Sequence, residues 1–233
     1  MGRAVITGAA RGLGRALALR YLEQGEEVWA GCRAPARAAD LAARGAHVCH
    51  LDVADENLVT QFAAQVAAAG DIDVLINAAG TDARALGADA GRRGPFEISA
   101  RHFLTEVQVN AAGPMLVTRA LLPQLINGTP GTVVNLSSRL ASMAIGAEIC
   151  WDIGYNASKA ALNAITVRTA RLLAPHQVIV VAIHPGWVRT DMGGPQASLD
   201  PEDAARQLAS TIAGLGPQHS GMFLHPDGAP HPW

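Results

Sequence analysis

Two residues of the segment GYNASKAAL (154–162) are almost alone of their kind: Lys159 is the single lysine of the 233-residue chain, and Tyr155 is one of two tyrosines. All the other Lys/Arg positions, of eighteen in total, carry arginine. At positions i and i+4 of a helix, the phenol and the ammonium share one face and project into the same space. A free phenol, with a pKa of about 10, trades protons poorly at neutral pH. An adjacent ammonium favours phenolate and brings the group into the range of general acid–base work. Lysine can do this while its three donors also bind ribose hydroxyls, a geometry that the bulkier guanidinium fork does not reproduce. Y-x-x-x-K is a common pattern, yet a lone lysine falls four residues after one of two tyrosines only roughly once in a hundred placements.

The strand-like segment upstream ends in NLSS (135–138). Its hydroxyls fall at the carboxyl edge of a sheet, where open α/β sheets place their ligands. A serine there can hydrogen-bond a carbonyl and the negative charge that develops on it during hydride addition. At the other end of the chain, TGAARGLG (7–14) lies between a strand-like run and a helix-like run. In that context glycines let backbone N–H groups and a helix N-terminus approach a pyrophosphate; tight strand–helix turns also use glycine for geometry alone. The spacing is G-x-x-x-G-x-G with no Lys-Ser/Thr following, which excludes the phosphate loop of nucleoside triphosphatases.

Where many dinucleotide-binding domains end their second strand in a carboxylate for the ribose 2′-OH, this chain has WAGCRAP (29–35). No acid is available to repel a 2′-phosphate, and Arg33, helped by Arg11, can pair with one. NADP is therefore favoured over NAD; the plainer reading is two solvated arginines in an arginine-rich chain. Asp52, at the end of the third strand candidate, is placed either to contact an adenine amino group or to cap the following helix.

The elements that must position these residues alternate along the chain. Strand candidates AVITG (4–8), EVWAGC (27–32), AHVCHLD (46–52), DVLINAAG (73–80), GTVVNLSS (131–138), QVIVVAIHPG (177–186) and GMFLHPD (221–227) are separated by helix-length amphipathic segments. These lie at 12–25, 36–43, 56–70, within 99–126, at 154–173 and at 201–213, with Pro114 set to kink the fourth or mark its boundary. Unbroken Val/Ile/Leu strands between helices predict a parallel sheet covered on both faces, the doubly wound α/β pattern.

A length of 233 residues with 49% hydrophobic residues suits one domain over 1–233. The net charge of -2 and the dispersed arginines exclude a polyanion-binding stripe, so no nucleic-acid partner is expected. Cys32, Cys49 and Cys150 lack metal-ligand spacing and read as buried or incidental thiols of a reducing compartment. The chain enters a strand at once and has no run of 18 apolar residues, so a cytoplasmic location without membrane association is expected. The eight histidines, among them His184, His225 and His231, form no metal-ligand motif, and no metal is expected.

Taken in order, TGAARGLG, LDV (51–53), NAAG (77–80), VNAAGP (109–114), VVNLSS (133–138), YNASK (155–159) and HPGWVRTDM (184–192) make the chain resemble the short-chain dehydrogenase/reductase family over essentially its whole length. VWAGCRAP, GWVRTDMGGP and SGMFLHPDGAPHPW most resemble its C-factor and sniffer-like carbonyl reductase branch. The resemblance implies a seven-stranded Rossmann fold and an NAD(P)-dependent enzyme that interconverts a small-molecule carbonyl and its alcohol. It also leaves open a C-factor-type signalling or sensing module with vestigial catalysis.

By the same resemblance, Asn110 holds a water that starts a proton relay, Ser138 orients the carbonyl, Tyr155 is the acid/base, and Lys159 binds ribose and tunes Tyr155. Cofactor contacts are implied at Gly8, Arg11, Gly12, Leu13 and Gly14, then at Arg33, Asp52 and Val53. NAAG departs from the family's consecutive asparagines: Asn77 supports the sheet, and Ala78, Ala79 and Gly80 serve through their backbones. Pro185, Gly186, Val188 and Thr190 match the nicotinamide-holding segment, with the Val188 backbone and the Thr190 hydroxyl as contacts. The stretch from Ser138 to Tyr155 is longer than the family's usual spacing and reads as one wall of the substrate pocket. Met143, Trp151, Trp187 and Met192 either line that pocket or cover sheet ends. In the family, helices such as 101–125 and 154–173 pair between subunits, which leaves homodimer and homotetramer open.

Overall fold

Strands that are apolar at successive positions expose greasy surface on both faces and fold only where both are covered. In the computed structural model, which describes residues 2–89, 93–127, 131–146 and 151–233, they form the centre of a three-layer stack. β1 (Arg3–Thr7), β2 (Glu27–Cys32), β3 (His47–His50), β4 (Val74–Asn77), β5 (Thr132–Leu136), β6 (Ile179–Ile183) and β7 (Phe223–Leu224) make one seven-stranded sheet. Its order is β3-β2-β1-β4-β5-β6-β7 and every pairing is parallel. The helices are α1 (Gly12–Glu23), α2 (Ala39–Ala43), α3 (Glu56–Ala67), α4 (Ala100–Val107), α5 (Gly113–Ala120), α6 (Leu122–Ile126), α7 (Ile153–Leu173) and α8 (Pro201–Ala213).

The two layers divide alternate strand residues between them. Ala4 and Ile6 of β1 pack with Leu17 and Tyr21 of α1 and Leu208 and Ile212 of α8. Val5 between them points the other way, toward Phe62 of α3, Val117 of α5 and Leu125 of α6. The predicted doubly wound sheet is the one formed. Its strand order reverses between β1 and β4, so the connections leaving those strands diverge and open a crevice at the carboxyl edge. Thr7, buried at the end of β1, spans this point by accepting hydrogen bonds from the N–H groups of Ala78 (3.1 Å) and Ala79 (3.0 Å).

The segment expected to hold one long helix is broken three ways. α4 passes into a π-helical turn, Gln108–Ala112, before α5 begins, and α6 follows after Leu121. Pro114 is the cause: it has no N–H to give the Asn110 carbonyl and its ring crowds that carbonyl, so the chain widens by a residue and Gly113 N–H bonds Gln108 O instead. The third strand is also shorter than expected. β3 ends at His50, and Asp52 lies in the following turn, where its Oδ1 accepts from Ala54 N–H at 3.0 Å. The helix cap is Asp55, which accepts from the N–H groups of Asn57 and Leu58. Cys150, and the parts of the 81–95 and 139–153 loops at 90–92 and 147–150, lie outside the described residues. Among the described residues no helix is long and apolar enough to cross a membrane.

Candidate active site

The glycine turn after β1 is fixed by close approach. Gly8 has φ +69°, and a Cβ on it would sit 2.7 Å from the Ala79 Cα; one on Gly14 would sit 2.5 Å from the Gly8 carbonyl. The turn therefore presses against the exit of β4 while α1 presses against the turn. α1 starts on extended Arg11 with no side-chain cap and no acid in its first turn. In contrast, Asp55 caps α3 and Ser99 caps α4. The unpaired donors and positive dipole end of α1 thus face the crevice, and they fit the pyrophosphate of a dinucleotide. Leu13 packs back onto the core, and Gly12 faces the side chain of Thr190.

At the nucleoside end, Arg33 is exposed and makes no ion pair among the described residues. Arg11 is engaged, its Nη1 2.9 Å from Asp191 Oδ2 across the crevice mouth. Val53 is buried against Gly113 at the π turn. Asn77 turns away from the crevice and donates to Asn135 Oδ1 (2.9 Å) and Thr118 Oγ1 (3.3 Å). The segment after β6 folds over the turn: Val188 bridges to Leu199, and the Thr190 hydroxyl accepts from Gly193 N–H at 3.1 Å. Gly186, with φ +86° after Pro185, begins that fold.

The other wall brings Asn110, Ser138, Tyr155 and Lys159 together. Ser138 stands beside the Tyr155 phenol, close enough to favour its ionised form. Ser137 instead donates to the buried Asn163 Oδ1 at 2.6 Å, which separates the roles of the two serines. Lys159 is 5% exposed, donates from Nζ to Leu136 O at 2.7 Å, and lies 5.8 Å from the centre of the Tyr155 ring. Gly80 lies against Asn110 and Lys159. Both Asn110 Nδ2 donors are engaged, to Thr81 O (2.8 Å) and Ser158 Oγ (2.9 Å), and Oδ1 accepts from Thr81 N–H (2.8 Å).

The electrostatics correct one expectation. Tyr155 is not brought toward neutrality by its lysine neighbour; burial pushes the phenol up to about 12, Ser138 offsets part of this, and Asp82, Asp152 and Glu106 add to it. Burial also pushes Lys159 down to about 8, so desolvation dominates both members of the pair.

Those three acids are residues that no local pattern singles out. Asp82 is buried and held by both Arg84 Nε (2.9 Å) and Arg84 Nη2 (2.6 Å). Asp152 opens α7 in the left-handed region with φ 57° and pairs with Arg93 at 2.5 Å. Glu106 is buried on α4 and pushed up to about 7 by burial and by repulsion from both aspartates. The available signal was acid at a core position: Glu106 stands one helical turn before Asn110. Ser158 has no local signal either, and it links Asn110 to the Tyr155 carbonyl, to which it donates at 2.7 Å.

Of the four pocket-wall candidates, Met192 reaches Gly80 in the crevice. Trp187 pins its own loop by donating to Gly193 O at 2.9 Å, Trp151 lies against Arg93, and Met143 is exposed. His184, His225 and His231 gather beyond β6 and β7, where burial and its neighbours push His184 down to about 4. No group of three or more His, Cys, Asp or Glu among the described residues is arranged to hold a metal ion.

Known proteins share this arrangement of elements. The C-signal protein of Myxococcus xanthus is 38% identical over 70% of this chain and 94% of its own length. The structure of carbonyl reductase Sniffer of D. melanogaster superposes with a TM-score of 0.91 at 29% identity, covering 100% of both chains. An NADPH-bound carbonyl reductase from chicken fatty liver gives a TM-score of 0.89 at 26% identity over 99% of this chain and 98% of that one. The model of the short chain dehydrogenase family matches residues 3–199. With that match spanning both the glycine turn and the Tyr155–Lys159 wall, the chain belongs to the short-chain dehydrogenase family.

Proposed function

We propose that the protein is an NADP(H)-dependent carbonyl reductase, with oxidation of the corresponding alcohol as the reverse reaction. The observation that carries this reading is the meeting of the Ser138 hydroxyl and the Tyr155 phenol above Lys159, at the carboxyl edge beside the uncapped α1. NADPH, when bound, supplies the hydride. Ser138 holds the carbonyl oxygen and Tyr155 gives it the proton as negative charge develops there. Lys159 binds ribose hydroxyls and stabilises the phenolate that is left. Asn110 serves a water through its main-chain carbonyl, to which Pro114 cannot donate, while its side chain, with both amide hydrogens engaged, is held by Thr81 and Ser158.

Three features support NADP over NAD: the open Arg33, the lack of a carboxylate at the end of β2, and the NADPH in the chicken relative. The remaining cofactor contacts follow the crevice wall, at Gly8, Gly12, Leu13 and Gly14, at Asp52 and Val53, along Ala78 to Gly80, and at Pro185, Gly186, Val188 and Thr190. The expected outcome for Tyr155→Phe is loss of NADPH-dependent carbonyl reduction by about a hundredfold or more, with NADPH binding retained. Unchanged rates across a broad carbonyl panel would overturn the reading. The C-signal relative favours a second reading, a signalling role that outlives catalysis; signalling activity preserved in Tyr155→Phe would favour it.

A further inference from the structure

Glu106 is 1% exposed, and its Oε2 has no hydrogen-bond partner among the described residues. That oxygen lies against Gly154, where a Cβ would collide with it. Glu106 is thus packed behind the residue that precedes Tyr155, at the start of α7. The arginines of this corner are drawn to other acids: Arg84 holds Asp82 and Arg93 holds Asp152. Lys159 is spent on Leu136 O. When ionised, Glu106 is the charge of the corner that no ion pair among the described residues neutralises.

We propose that Glu106 is a positioning residue for the Tyr155 proton, its buried carboxylate keeping the phenol protonated and so extending carbonyl reduction into the alkaline range. This rests on the carbonyl-reductase reading above. In reduction the carbonyl carbon gains a hydride from the nicotinamide and the carbonyl oxygen gains the phenolic proton, leaving alcohol, oxidised nicotinamide and Tyr155 phenolate. Reduction starts from the phenol, and a negative charge fixed beside it makes premature loss of that proton costly.

The groups facing Glu106 are the Ala83 backbone and Asp82 from the segment after β4, Arg93 from the segment before α4, and Asp152 and Tyr155 from α7. Burial, reinforced by repulsion from the two aspartates, outweighs the hydrogen bond from the Ala83 backbone and the attraction of Arg93, and places the Glu106 carboxyl at about 7. The charge therefore appears as the pH rises through neutrality, ahead of the range in which Tyr155 would lose its proton.

Glu106→Gln keeps the shape and removes the charge. The test compares the pH dependence of kcat/KM for NADPH-dependent carbonyl reduction in the wild type, Glu106→Gln and Glu106→Asp. In parallel, NMR of protein labelled with carboxyl-13C glutamate follows the acid directly. The expected results are a glutamate carboxyl that titrates near neutrality in the wild type and is missing from Glu106→Gln, and an alkaline limb of reduction moved down by roughly one pH unit, about a tenfold loss of rate above it. Glu106→Asp should return the limb toward the wild-type position. An unmoved limb in folded Glu106→Gln overturns the inference while leaving the function intact, whereas full activity of Tyr155→Phe would overturn the function itself. If Glu106→Gln does not fold, the wild-type spectrum decides: no glutamate titrating between about 6 and 8 overturns the inference.

Discussion

Where α1 meets the crevice the protein presents backbone, with Gly8 and Gly14 against neighbouring main chain and helix donors left uncapped. Where α7 meets it, the protein presents side chains drawn from four separate segments: Asn110 and Glu106, Ser138, Asp82, and Tyr155 with Lys159. The first wall works by shape and by partial charges that never titrate. The second works by groups whose proton affinities are set by burial, and its chemistry depends on keeping water out. Substitutions should therefore act on the first wall through sterics and binding, and on the second through protonation.

The largest effect expected is on the titrating wall. Lys159 sits 5% exposed with a single acceptor at 2.7 Å, a space that a compact ammonium fills and a guanidinium does not. Lys159→Arg should cost about a thousandfold in kcat/KM, or about 4 kcal/mol of barrier, while circular dichroism shows the fold intact. Near-normal turnover would mean that the lone lysine is a compositional accident and that the two walls do not differ as described.

The same wall should leave a mark on stability. Glu106 is raised from 4.5 to about 7, so the native state holds its proton longer than the unfolded chain, and stability is lost as the pH rises across that interval. Lys159 is lowered from 10.5 to about 8, so its contribution is present above 10.5 and lost as the pH falls to 8. Each step amounts to as much as about 3 kcal/mol, and this pair contributes least near neutrality, where both groups are charged; His184, lowered from 6.5 to about 4, runs against Glu106, because its contribution is lost as the pH falls across that interval. Chemical denaturation across pH should isolate each step as a difference from wild type, changing between pH 4.5 and about 7 for Glu106→Gln and between about 8 and 10.5 for Lys159→Met. Cys32 and Cys49, whose thiols burial pushes up, act against the lysine at alkaline pH. The difference between wild type and Lys159→Met removes them from the comparison.

The unequal legibility of the two walls has the same origin. Glycines at fixed spacing between a strand and a helix are local, so the backbone wall reads directly from TGAARGLG, and apolar strands alternating with amphipathic helices give the sheet. Tyr155 and Lys159 share one helix and read as easily. Most of their surroundings do not: Asp152 stands at the start of the same helix, but Asp82 and Glu106 are distant in the chain, and only the folding of two other segments onto α7 brings their charges to bear on Tyr155. A rule based on the nearest charge predicts a lowered phenol pKa, because i,i+4 spacing is visible and burial is not. Pro114 lies between these cases: its presence in a helix is plain, but the π turn it imposes at Asn110 emerges only in three dimensions.

On the backbone wall, Gly8→Ala tests shape alone. The residue holds φ +69° and a Cβ would meet the Ala79 Cα at 2.7 Å, so the substitution should cost about 2 kcal/mol. A lower midpoint in urea checks this, and the loss should be the same at pH 6 and pH 9, unlike the changes on the other wall.

The smallest effect belongs to cofactor choice, where the backbone wall borrows two side chains. Arg11 and Arg33 both flank the expected 2′-phosphate, but they are not equivalent. Arg11 is held in an exposed ion pair with Asp191, which must be given up before it can bind anything else, and such pairs are worth little in themselves. Arg33 has no competing partner among the described residues and can offer its whole fork to a phosphate. Arg33→Asp should therefore weaken NADPH by roughly tenfold with NADH nearly unchanged, and Arg11→Ala should move either dissociation constant by no more than about threefold. Fluorescence titration of the two nucleotides against wild type and both variants measures this. A wild type that prefers NADH would show that the missing carboxylate at the end of β2 does not set the preference, and equal losses in the two variants would show that Asp191 gives up Arg11 when the nucleotide binds.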